Sequence, residues 1–374
     1  MTMPTAQNPS GRIVFLDYAR VAACFLVILV HAAENFYAAD ASGLAGNMTY
    51  LANEANRFWV SFYDGLARIC VPLFMIISSY LLVPLKEGQT MGAFYRKRFL
   101  RVVPPMVFFM LLYTFLPLLW GGMTAEQSMQ DFRGLPLNFP SMAGHLWFMY
   151  PLLGLYLFMP VISPWLERAT RREEQVFLGI FLLSTFMPFL HRFVQPYLWG
   201  ECFWNGFHIL WYFSGYIGYL VLAHYVRFHL DWPARKRLVV GAAAFLAGAA
   251  FTIWSFYWKT PPGVLVETPV AEWAWEFCTP NVLCATFGAF LLFSCIRRPS
   301  AVVEGTSRIS FGIYLVHLFV LNVWVRLLVG EGGAAAPAVP VAAAIPLIAL
   351  CTFLSSALIV KVFSLIPGSR WLIG

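Results

Sequence analysis

The chain has 374 residues, of which 60% are hydrophobic and only 11% charged, a balance far outside that of soluble or disordered domains. Its formal charge of +7 requires no nucleic-acid partner, because basic loops facing anionic headgroups account for the excess. The seven cysteines, at 24, 70, 202, 278, 284, 295 and 351, form no CxxC pair and no zinc-type spacing with histidine, which sets structural zinc of that kind aside.

Roughly twenty apolar residues cross a hydrocarbon core of about 30 Å. Ten stretches approach that length: 13–33, 58–85, 99–120, 146–163, 176–190, 207–226, 238–258, 279–296, 309–329 and 341–363. The sequence thus predicts an all-α integral membrane protein, a polytopic bundle of about ten helices forming a single domain over 1–374. The polar start "MTMPTAQNPSGR" runs into an apolar segment without a small-residue cleavage pattern, so the first segment reads as a retained helix. The fifth, "VFLGIFLLSTFMPFL", is weakly marked and reads as short or tilted. With ten spans both termini share a face, and eighteen of the twenty-five Lys and Arg fall on it. The other face has Arg57, Arg133, Arg192, Lys259 and Arg326, while Arg20 and Arg68 lie within spans. That asymmetry predicts cytoplasmic termini. Cys202 and Cys278 then fall on outer loops and are expected to lie close enough to pair.

In the first span, "RVAACFLVILVH" places Arg20 and His31 at the ends of ten apolar residues. Eleven steps of about 100° come within roughly 20° of three full turns, so the two share a face. Asp17, Cys24, Ile28 and Glu34 fall near the same stripe. Ionisable groups inside a span usually face a cavity or the bundle interior. The plainer alternative is an Asp17–Arg20 pair one turn apart, with His31 at the interface.

Three further stretches carry polar groups. The second span places Arg68 in an apolar run just before a Val-Pro, and "FYRKRFLRVVPPM" sets Arg98 and Arg101 one turn apart at the start of the third. The fourth opens "HLWFMY", giving His145, Trp147 and Tyr150, which suit an interfacial belt or stacking on a sugar ring. In "SRISFGIYLVHLFV", Ser310, Tyr314 and His317 share a face of the ninth span; helix-packing hydrogen bonds or a shared cavity explain them equally.

Together, the Arg and His of the first span, "RICVPLFMIISSYLL", "RFLRVVPP", "HLWFMYPLLGLYLFMP" and "SRISFGIYLVH" resemble the membrane acyltransferase-three family, in order and through nearly the whole chain. The likeness is greatest to bacterial O-acetyltransferases of surface polysaccharides, of the kind that modifies enterobacterial common antigen. The resemblance implies an enzyme of the bacterial cytoplasmic membrane that moves acetyl from cytoplasmic acetyl-CoA to a hydroxyl of a glycan or glycolipid acceptor on the outer side. It implies that Arg20 and His31 are essential and that Arg98 and Arg101 match the family's RxxR. Ser79 stands where many members have Gly, and no soluble hydrolase-like domain is appended.

The chemistry fits these residue types. A neutral histidine accepts a proton near neutral pH, which makes His31 the candidate general base and Glu34, one turn away, its candidate orienting group. Arginine forks onto phosphates, so Arg98 and Arg101, with Arg68 and Arg20, are candidates to hold coenzyme A. Arg96 and Lys97 read as a positive-inside anchor. Arg20 either contacts the pantetheine, holds Asp17 or polarises the thioester. Arg20 and His31 stand about 16 Å apart along a helix, enough for a pantetheine arm to reach from one to the other, and either direct transfer or an acyl-histidine intermediate fits. His145, Trp147, Tyr150, Tyr314 and His317 are the candidate acceptor-binding residues.

Two rival classes fit less well. A proton-coupled carrier or lipid-linked sugar flippase would also bury Arg and His, but the sequence has no inverted repeat. His31 and Glu34 at i, i+3 resemble half of a carboxylate-bridged metal site whose second half is missing, so no metal is expected.

Overall fold

A computed structural model describes residues 11–37, 51, 53–191, 193–194, 208–262, 264, 266–330 and 339–373. Helix α1, Val14–Glu34, is followed by α2, Glu54–Ala67, and α3, Cys70–Leu82. Helix α4, Met91–Phe115, runs on into a 3-10 turn, Leu116–Trp120, and α5, Ala125–Gly134, leads to a second 3-10 segment, Ser141–Phe148, which opens α6, Met149–Leu166. Then come α7, Arg171–Ser184, α8, Met187–Leu190, α9, Tyr216–Phe228, and α10, Ala234–Lys259. Helices α11, Thr268–Ala271, α12, Pro280–Phe293, α13, Ala301–Leu328, α14, Val341–Phe363, and α15, Arg370–Ile373, complete the chain. No strand forms among the described residues. The protein is an all-α polytopic membrane protein.

Nine helical stretches among the described residues are long and apolar enough to span a bilayer, against the ten expected. The difference is the eighth: α12 has 14 residues, about 21 Å of helix. Pro280 opens it and Pro299 follows soon after its end, so the helix cannot lengthen readily in either direction. It runs antiparallel to α10, from Asn281, whose side-chain amide donates to Thr252 Oγ1 at 2.8 Å, to Ser294, whose Oγ accepts from Arg237 at 3.0 Å. Glycines allow the close approach. A Cβ on Gly288 would stand 2.4 Å from the Phe245 backbone nitrogen, and one on Gly248 2.4 Å from the Asn281 carbonyl oxygen, the small-residue packing that membrane helices favour.

The expected second span is one stretch interrupted in its middle. Pro72 has no N–H for the Arg68 carbonyl, and the helix pauses at Arg68 and Ile69 before α3 begins. In α4, Pro104 and Pro105 likewise remove the donors for the carbonyls of Leu100 and Arg101.

Helix α1 lies at the centre, packed on α2, α3, α13 and α14. It runs parallel to α13: Asp17 accepts from Ser307 Oγ at 2.7 Å near one end, and the rings of His31 and His317 lie 5.4 Å apart near the other. Leu246, Leu354 and Leu358 are exposed on the outer helices α10 and α14, as a lipid-facing surface requires.

Candidate active site

The stripe on α1 meets two separate cavities. The first, about 460 Å³, lies around the N-terminal end of α1 and is lined by Arg12, Arg20, Arg98, Arg101 and Arg308, with Asp17, Tyr156 and Ser307 among them. Asp17 is buried, and a buried carboxylate needs compensation. Arg12 forks onto it through Nε, at 3.1 and 3.2 Å, and through a terminal nitrogen. That hydrogen bonding raises the pKa of the Arg12 guanidinium. Arg20 NH1 lies 3.0 Å from Ser307 Oγ and 3.5 Å from Asp17, so Asp17 and Ser307 together aim two guanidinium groups at one space.

Arg98 and Arg101 enter the same cavity from α4, one turn apart, and neither Arg96 nor Lys97 lines it. The Nε of Arg98 is buried without a hydrogen-bond partner. Arg101 is exposed at the cavity's mouth. Arg12, Arg308 and Ser307 went unassigned at the level of sequence. The only signal was that Arg308 and Ser307 belong to "SRISFGIYLVH".

The second cavity, about 210 Å³, surrounds the other end of α1 and is lined by His31, Glu34, Arg68, His145, Trp147 and Phe277, among others. His31 Nδ1 lies 2.7 Å from Glu34 Oε2. With Nδ1–H donating to the carboxylate, Nε2 is left as the proton acceptor. The 3-10 segment before α6 carries His145 inward: Asp131 on α5 accepts from the Ser141 N–H at 2.9 Å and from its hydroxyl at 2.8 Å, and Ala143 departs from helical geometry. His145 and His317 rings then stand 4.8 Å apart at 79°, and the Tyr314 hydroxyl donates to the His145 carbonyl. His317 Nδ1 lies 2.6 Å from the Tyr314 carbonyl oxygen, while its Nε2 and both ring nitrogens of His145 meet no hydrogen-bond geometry.

Arg68 departs from the expectation that it joins the donor-binding arginines. It lies in the second cavity, where carboxylates claim it: Nε is 2.7 Å from Asp64 Oδ1, and NH2 is 3.1 Å from Glu272 Oε1 and 3.7 Å from Glu34 Oε1. The Trp275 ring lies 4.5 Å from its guanidinium carbon. Tyr37 completes the cluster, 2.9 Å from Asp64 Oδ2 and 2.6 Å from Glu272 Oε1. Burial and the Asp64 carboxylate push its phenol well above the ordinary range, so it remains a donor. Asp64, Glu272 and Tyr37 were absent from the sequence-level candidates because three separate segments supply them.

Trp147 lines the second cavity and stacks on Phe277, centroids 5.6 Å apart and planes at 16°. Tyr150 departs from its expected place: it is 37% exposed, beside Phe139 and outside both cavities, because it turns onto the outer face of α6. Cys278 has no disulfide partner among the described residues, and burial pushes its thiol pKa up to about 12; its expected partner, Cys202, lies outside them.

Phe74, Phe148 and Tyr314 line both cavities. Phe148 is 5.9 Å from each of the other two, centroid to centroid. The basic chamber and the histidine chamber are therefore separated by the thickness of these side chains, with Arg20 on one side and His31 on the other.

A family model described as an acyltransferase domain matches residues 13–361. No curated protein and no solved structure matches the chain.

Proposed function

Since the chain belongs to the acyltransferase-3 family and is a multi-pass membrane acyltransferase, we propose that it transfers acetyl from acetyl-CoA, held in the basic chamber, to a glycan hydroxyl in the histidine chamber. The observation that carries this reading is the shared wall of Phe74, Phe148 and Tyr314. A pantetheine arm threaded past these three side chains joins a polyanion site to a general base. The basic chamber faces the cytoplasm of a bacterium, in keeping with the distribution of Lys and Arg, and the acceptor is a surface or lipid-linked glycan.

In this mechanism Arg98, Arg101, Arg20, Arg12 and Arg308 neutralise the phosphates of coenzyme A. The thioester carbonyl enters the histidine chamber. His31 Nε2 takes the proton of the acceptor hydroxyl as its oxygen forms the new C–O bond. The C–S bond then breaks, and His31 returns the proton to the departing thiolate, leaving free coenzyme A and the acetyl ester. Glu34 fixes the His31 tautomer and stabilises the imidazolium, in the manner of a catalytic triad's carboxylate. Arg68, Asp64 and Glu272 hold Glu34 in place. An N–H of His145 stabilises the tetrahedral oxyanion, and Trp147 stacks on the sugar.

The test is purified protein in liposomes with acetyl-CoA and a polysaccharide acceptor, assayed for free thiol and for acetylated product together. Thiol release that depends on the acceptor supports the reading. Movement of a sugar lipid across the bilayer without coenzyme A consumption would replace it with a carrier.

A further inference from the structure

Away from both chambers, at one end of the α7–α9 pair, lies a cluster the acyl-transfer mechanism does not use. Thr170 and Glu173 form a capping box at the start of α7, and the next residue, Glu174, turns inward to complete burial. His224, just before the last turn of α9, places Nδ1 2.8 Å from Glu174 Oε1, and His229, at the end of that helix, places Nε2 3.1 Å from the same oxygen. The second carboxylate oxygen, Oε2, is buried with no hydrogen-bond partner. A buried carboxylate with one oxygen unsatisfied is costly.

We propose that Glu174, His224 and His229 form a binding site for a divalent transition-metal ion of the zinc class. The two ring nitrogens and the carboxylate oxygen lie within 4.8 Å of one another. Ligands on one tetrahedral zinc stand about 3.3 Å apart, given metal–ligand bonds of about 2.0–2.2 Å, so each ring nitrogen withdraws from the carboxylate oxygen by a few tenths of an ångström while the two nitrogens turn towards each other from a separation of at most 4.8 Å. Two imidazoles and one carboxylate suit zinc and its neighbours and not magnesium or calcium, which take oxygen ligands. Each imidazole binds as the neutral tautomer, its proton moved to the other ring nitrogen. The His229 side chain is 21% exposed, which gives the ion a way in and leaves a fourth position for water. The carboxylate's unpartnered oxygen gains either the ion or its water as a partner.

The location explains what such an ion contributes. Helix α7 buries only Glu174, Phe181 and Ser184, and Phe181 packs so tightly on α9 that a Cβ at Gly218 would lie 2.2 Å from its ring. Phe181 thus anchors the middle of a peripheral helix, and the ion fastens its end.

The experiment is metal analysis of the untagged, full-length protein in detergent after exposure to zinc and removal of the excess, with thermal unfolding measured alongside. One zinc retained per chain is expected, with a raised melting temperature that a chelator reverses. His229→Ala, at the partly exposed ligand, loses the bound equivalent and the chelator effect while still folding; Glu174→Gln does the same. A wild type that retains no stoichiometric zinc overturns the proposal. So does a His229→Ala variant that retains it, since the ion is then held elsewhere. Acetyl transfer is measured on the same samples and reports on the two chambers independently.

Discussion

The imidazoles of His31 and His317 lie nearly parallel, their planes 25° apart and their centroids separated by 5.4 Å. Glu34 pairs with His31 at 2.7 Å, whereas His317 is held by a backbone carbonyl. The carboxylate therefore singles out His31 as the ring able to carry a positive charge during a proton transfer.

His31→Ala should lower acetyl transfer by about 10²–10⁴-fold, the usual contribution of a positioned general base, with acetyl-CoA affinity unchanged if, as proposed, the phosphates bind in the other chamber. Calorimetry and a transfer assay separate the two effects. If His31→Ala turns over normally, the base is His317 or His145.

Glu34→Gln keeps the size of the side chain but not the charge that fixes the His31 tautomer. A fall in kcat of up to about 10⁴-fold is expected, as when the carboxylate of a catalytic triad becomes an amide, again with donor affinity intact. An unchanged kcat would reduce Glu34 to a partner of Arg68.

Arg98→Ala and Arg101→Ala should weaken acetyl-CoA binding, each by about 10–100-fold, if a charge-assisted hydrogen bond contributes about 1.5–3 kcal/mol. Arg96→Ala and Lys97→Ala, whose side chains do not line the chamber, should leave the dissociation constant where it was. Equal weakening by all four would mean that the helix attracts the donor by net charge alone.

Gly288→Ala introduces a Cβ 2.4 Å from the Phe245 backbone nitrogen. Neither helix can yield there without parting, so a loss of about 1–3 kcal/mol in stability is expected, read as a lower melting temperature in detergent. Gly305→Ala, where a Cβ meets nothing within 4 Å, is the control and should melt like the wild type.

What the sequence made legible is what one helix carries by itself. The alignment of Arg20 with His31, the pairing of His31 with Glu34 and the turn from Arg98 to Arg101 all follow from the period of the α-helix. The fate of Arg68 does not, since Asp64 is its helix neighbour but Glu272 arrives from a segment two hundred residues away and Glu34 from α1. Arg12 and Arg308 escaped notice because a basic residue at a helix start ordinarily means a headgroup contact. The contact of Arg12 with Asp17 and Ser307, and the presence of Arg308 beside the same cavity, depend on how α1 and α13 are juxtaposed. The eighth span was overestimated because apolar length measures hydrophobicity, whereas α12 begins only at Pro280 and ends at Phe293, before the apolar run does.

The wall formed by Phe74, Phe148 and Tyr314 bears on the energetics of the membrane as well. If the two chambers open to opposite faces, as proposed, the transmembrane voltage falls across whatever divides them, and each charge moved through 100 mV gains about 2.3 kcal/mol. These side chains are then the insulator. In that arrangement the proposed pantetheine thread carries no charge past the wall, while a hydrated proton or sodium ion finds no polar partner among two phenylalanines and a tyrosine whose hydroxyl is already engaged. Phe148→Ala liposomes should dissipate an imposed pH gradient faster than the wild type, whatever the effect of the substitution on acyl transfer.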